Sequence, residues 1–171
     1  MTVRTTLVLA CLMLACVAAV PAAAAAPQRE IHGMDDAYAG EGVALAWAIL
    51  RGANEAATVV VVRIVADPDR YPIVAATGSN PFSQRAEPLL RATPSAGGVD
   101  LRVARAHFAD FPRTELRFYE SAAAAQSDTS RLVVYYLGVP DTTPEFATEA
   151  NLEAYLADRI ARGRGAGSKA P

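Results

Sequence analysis

Residues 58–66, TVVVVRIVA, constrain this chain more than any other stretch, because almost every position is β-branched and only Arg63 interrupts the apolar run. Such side chains are stiff about χ1 and pack well on a pleated surface. A run without polar alternation predicts a strand buried on both faces. Just upstream, Val43–Leu50 (VALAWAIL) sets Val43, Leu45, Trp47 and Ile49 against Ala44, Ala46 and Ala48. Period two predicts a strand with its large residues facing a core. The spacing of Val43, Trp47 and Leu50 also fits a buried helix. The short link through Gly52 and Asn54 to the next strand favours strand.

Further strands are expected at Tyr71–Thr77, Val99–Ala106, Thr114–Tyr119 and Arg131–Val139, with Asp67-Pro68-Asp69 as a turn. Between them, 78–98 is rich in Gly, Ser and Asn and holds Pro81, Pro88 and Pro94, so it reads as a long loop of the functional or mobile kind. Ser121–Ser130 reads as a polar, alanine-rich connector. A helix closes the chain. Thr142 and Glu145 have capping-box spacing, Thr148 offers a second cap, and Leu152, Tyr155, Leu156 and Ile160 fall on one face. Gly163 is expected to stop it.

Strands in succession before a single helix argue against alternating βαβ units. The expected fold is mainly β (α+β): an antiparallel β-sandwich-like or twisted sheet of about six strands with one C-terminal amphipathic helix. The expected organisation is a signal peptide over 1–25, a polar lead-in over 26–42, one globular domain over 43–162 and a flexible tail over 163–171.

The signal-peptide reading rests on order. Arg4 lies in a short polar start, Leu7–Val20 is an uncharged apolar run too short for an ordinary membrane span, and Pro21 and Ala22–Ala26 follow. Cleavage is expected after Ala25, with Ala23 and Ala25 in the small-residue positions. Leu14-Ala15-Cys16 superficially resembles a lipid-attachment box, but Met13 stands where its leucine belongs and the residues after Cys16 stay apolar. Both cysteines, Cys11 and Cys16, lie within the signal, so the mature chain has no disulfide and no cysteine nucleophile. Removing Arg4 from the 16 basic groups leaves fifteen against 18 acidic, and fourteen of the fifteen are arginine. That bias fits a GC-rich bacterial genome and a periplasmic destination. A charge so near zero leaves no nucleic-acid footprint, and no stable membrane span is expected after cleavage.

The mature chain has two histidines. His107 precedes Asp110 by three residues at a strand end, where the carboxylate could orient the imidazole as a general base. No nucleophile is specified beside them. His32, Asp35 and Asp36 do not define a metal site by spacing, and Asp67 and Asp69 lack the glycine and distal glutamate of a calcium loop. Ser79, Ser83 and Ser95 lack a nucleophile elbow, and Gly97-Gly98 is no phosphate loop. Tyr135 and Tyr136, adjacent on a strand, must point to opposite faces, so one of them is a candidate for recognition. Arg102, Arg105, Arg113, Arg117 and Arg131 read either as a basic stripe or as partners of Glu115, Glu120 and Asp128.

No cofactor or metal is expected. The chain reads as an exported, periplasmic binding or accessory protein for an unknown protein or small ligand, working through a sheet face and the 78–98 segment. The alternative is a small periplasmic hydrolase or metal-assisted enzyme using His107 and Asp110, and a third reading is an envelope-assembly component.

Overall fold

The computed structural model describes residues 29–32, 37–139 and 142–167. The expected signal peptide, Gly33, Asp35, Asp36 and the last residues of the tail lie outside the described residues. Two sheets stack face to face, with one long helix on the outside. The first sheet contains β2 (Ala37–Gly40), β3 (Val43–Leu50), β4 (Val59–Ala66), β7 (Val99–Ala104) and β10 (Glu145–Phe146). Its order is β10-β3-β4-β7, with β2 also on β3. The second contains β1 (Arg29–His32), β5 (Ile73–Asn80), β6 (Arg85–Ala92), β8 (Arg113–Tyr119) and β9 (Leu132–Leu137), in the order β1-β9-β8-β5-β6. Pairing is antiparallel except where β1 joins β9 and β10 joins β3. The mainly β, sandwich-like fold with a C-terminal helix is therefore what the chain adopts.

β3 and β4 pair along their whole length, Val43 against Ala66 and Leu50 against Val59. Period two then sorts β3 into two buried faces. Leu45, Trp47 and Ile49 face the second sheet and meet Leu116, Phe118 and Val134. Ala44, Ala46 and Ala48, with Val61 and Val65 of β4, face outward and lie under α3 (Glu149–Gly167). The alanines leave room for a helix to approach. Leu152, Leu156 and Ile160 fill that room, and full burial of such side chains stabilises by about 1.5–3 kcal/mol each.

Four expectations change. Among the described residues there are ten strands rather than six, because the polar lead-in contributes β1 and β2, the expected long loop contributes β6 and Glu145-Phe146 contributes β10. The 78–98 stretch is mostly hairpin: β5 and β6 are joined by the four residues 81–84. Pro88 concealed β6, but β6 is an edge strand, where a proline's missing N–H is tolerated. A bulge between Ala76 and Thr77 leaves Leu89 as the extra residue on that edge.

The helix starts later and ends later than its sequence suggested. Thr148 is its cap, accepting from Asn151 N–H at 3.4 Å, while Glu145 belongs to a strand. Gly163 does not stop it. A Cβ there would stand 3.0 Å from the Cβ of Ala39, so that glycine permits helix and strand to touch. The Ser121–Ser130 connector holds a short helix, α2 (Ala122–Gln126), whose N-terminal amide at Ala124 is capped by Ser121 Oγ at 3.0 Å.

Candidate functional site

One end of the sandwich gathers His107, Asp110, Ser79, Ser83 and Tyr136 from among the residues that the sequence singled out. The β5–β6 turn, the start of β8 and a single helical turn, α1 (His107–Asp110), meet there. Asn80 builds the turn. Its Oδ1 accepts from Phe82 and Ser83 N–H at 2.9 and 3.2 Å, and its Nδ2 donates to the Asp110 carbonyl at 2.8 Å. The tip is thereby tied to α1. Phe82 stands on it 92% exposed, the one large hydrophobic side chain so placed among the described residues.

Behind the tip, side chains stack inward from the surface. The Arg85 guanidinium lies 5.1 Å from the Phe111 ring centroid, and Phe111 stacks on His107 at 4.7 Å. His107 meets Phe108 edge-on at 6.0 Å, Phe108 approaches Tyr136 at 6.5 Å, and Tyr136 stacks on Trp47 at 6.0 Å. The column crosses from solvent to the centre of the core. Gly78 makes its middle possible, because a Cβ there would come within 2.6 Å of His107 Nε2.

His107 and Asp110 differ in burial and in partners. His107 Nε2 is buried without a hydrogen-bond partner, Asp110 is exposed, and no hydrogen bond or ion pair joins them. Two further buried oxygens share that surroundings unpartnered, Thr114 Oγ1 and Tyr136 Oη. Thr114 lies between Gly78 and Tyr136 in the cross-strand row. It is near enough to oppose the upward push that burial gives the Tyr136 phenol, yet the pair falls short of hydrogen-bond geometry. Thr114 is fully buried and Tyr136 is buried, whereas His107 is half-buried with its Nε2 inside.

Alternation separates the two tyrosines as expected, and both are buried. Tyr136 lies inside at 7% exposure, and Tyr135 lies on the outer face of the second sheet at 6%. Tyr135 is covered there by the Arg113 guanidinium, 3.9 Å from its ring centroid, and donates to Glu30 at 3.4 Å. Burial pushes its phenol above the ordinary range. Neither is an exposed recognition tyrosine.

The arginines form no single stripe. Arg102 and Arg105 serve the first sheet, bonding Glu149 and Glu145, while Arg117 and Arg131 serve the second with Glu115, Asp128 and Glu120. The serines and aspartates have local roles. Ser95 Oγ bonds the Gly98 carbonyl at 3.0 Å, and Asp67 Oδ1 accepts from Asp69 N–H at 3.0 Å.

A groove of about 520 Å³ opens at the other end of the sandwich, between the β2–β3 turn, the Asp67-Pro68 turn and the last turns of α3. Val43, Val65, Ala66, Pro68 and Ala96 make it largely apolar, with Glu41, Asp67 and Arg164 also on its wall. Glu41 and Gly42, both at positive φ, form the tight turn at its edge. The Glu41 carboxylate is already held by Arg29 and Arg70.

No protein-family model, curated protein or solved structure matches the chain. Among the described residues, no helix is long and apolar enough to cross a membrane, and no three metal-ligating side chains cluster.

Proposed function

We propose that the chain is an exported, periplasmic accessory protein that binds a protein partner through the tip of its β5–β6 hairpin. The observation that carries this reading is Phe82, almost fully exposed on a turn that Asn80 ties to α1. A large aromatic held rigidly in water costs solvation and gains nothing within its own domain. Placed in a partner's pocket it acts as an anchor, and pre-ordering the turn reduces the entropy lost on docking. Export rests on the sequence of residues 1–25. Binding is favoured over hydrolysis because Asp110 does not reach His107 and the hydroxyl nearest in the strand register, on Thr114, is fully buried.

A photo-crosslinking residue at position 82, set beside one at Ala161 on the exposed side of α3, tests the reading. Adducts with another polypeptide from position 82 alone are the expected result. Equal adducts from both positions, or none from 82, would overturn it.

A further inference from the structure

The hairpin tip and the groove stand at opposite ends of the sandwich. β4 runs from Val59, beside the α1 end, to Ala66 on the groove wall, and β5 runs back to end at Asn80 under the tip. One end presents a lone exposed phenyl ring, and the other presents the apolar concavity described above. Their charges match as well. Beside the tip, Arg85 and Arg113 make no ion pair among the described residues, their guanidinium groups lying on aromatic rings. Beside the groove, Asp67 and Asp69 also make none. Asp110 at the tip and Arg164 at the groove repeat the complement with the signs exchanged.

We propose that the partner is a second copy of this chain, with Phe82 of one copy seated in the groove of the next and Arg85 and Arg113 facing its Asp67 and Asp69. This deepens the accessory-protein reading and rests on its claim that Phe82 is a docking anchor. A phenyl ring fits a space in the range used for small ligands. Different patches on the same molecule meet, so the contact is heterologous. It propagates head to tail into short linear chains unless a rotation closes a ring. The tip Phe82 supplies the anchor, and the unpaired charges fix the register.

The test is mass by light scattering and sedimentation over a range of concentrations, on the mature chain and two variants. Phe82→Ser removes the tip anchor and leaves the groove. Ala96→Trp fills the groove from an exposed loop position and leaves the tip. The parent should grow in mass with concentration, and each variant alone should associate at least about thirtyfold more weakly, a hot-spot loss. Mixed, the two variants should pair one to one and stop, because each supplies what the other lacks. A parent that stays monomeric overturns the inference, as does a Phe82→Ser protein that assembles like the parent. A mixture that fails to pair when the parent assembles overturns the head-to-tail geometry. If position 82 still crosslinks to a different polypeptide while the parent is monomeric, the accessory reading survives and only the self-association fails.

Discussion

Arg63 and Asp100 face each other across the β4–β7 pair and are joined by two parallel hydrogen bonds, Nε to Oδ1 at 2.8 Å and Nη2 to Oδ2 at 2.7 Å. The remaining reach of the guanidinium goes to Glu153 on α3, at 2.8 Å. A fork that binds both carboxylates welds the helix to the sheet, and the Asp100 bonds foremost hold the Arg63 pKa above its ordinary value.

Arg63→Ala should therefore cost about 2–3 kcal/mol, because it leaves Asp100 half-buried and without its fork. Glu153→Gln should cost less than about 1 kcal/mol, since that carboxylate is more exposed and keeps an amide to bond with. Urea melts of both variants decide it. The reverse order of stability would show that the helix contact, not the strand pair, holds Arg63.

The alanine face of β3 makes a second prediction. Leu156→Ala should cost about 2–4 kcal/mol through lost transfer energy and a cavity over Ala46. Ala46→Leu should cost about 1–3 kcal/mol by forcing α3 away from the sheet. Asp158→Ala breaks only the exposed i,i+4 pair with Arg162 and should cost less than about 0.5 kcal/mol. Thermal melts that rank Asp158→Ala with Leu156→Ala would remove α3 from the sheet.

The stripe of Leu152, Leu156 and Ile160 and the large-small alternation of β3 were legible because each pattern has one period and one packing solution. β6 was not, because Pro88 and the polar residues around it describe an edge, and an edge strand has no buried pattern to read. Glu145 misled for a different reason: capping-box spacing is local, whereas its pairing beside Ile49 depends on β3. Gly163 looked like a terminator, yet its role is set by Ala39, more than a hundred residues away. The tip lay in the segment marked as functional, but Phe82 itself carried no signal. Only the partners of Asn80 hold it in water, and Asn-Pro turn chemistry was the available hint.

Gly78 and His107 give a third prediction. Gly78→Ala sets a methyl 2.6 Å from His107 Nε2, and Phe111 Cβ at 3.4 Å blocks a retreat on one side. The ring must move, disturbing its stack on Phe111. Gly78→Ala should be destabilising alone, and His107→Ala should relieve that cost when the two are combined. The interaction energy of this cycle should be about 1–3 kcal/mol. Simple additivity in guanidinium melts would mean that the imidazole is free to leave.

The fourth prediction concerns alkaline stability. Tyr119 is buried and donates to the Asp128 carboxylate at 2.6 Å. Burial first, and that bond second, push its phenol from the usual 10.0 up to about 12. A raised folded-state pKa means the folded protein favours the protonated phenol. The stabilisation is complete below about pH 10 and is lost as pH rises through about 12. Tyr119→Phe should lower stability at pH 8 by about 1 kcal/mol, the net worth of the hydrogen bond. It should then lose less than the parent between pH 9 and about pH 11.5, where the parent gives up on the order of 2 kcal/mol from this group. Tyr38, Tyr71, Tyr135 and Tyr136 are raised as well, so the variant keeps part of the alkaline decline. Urea midpoints measured at half-unit steps in pH check the slope. Parallel curves for parent and variant would mean that Tyr119 ionises in the folded state as readily as in the unfolded chain.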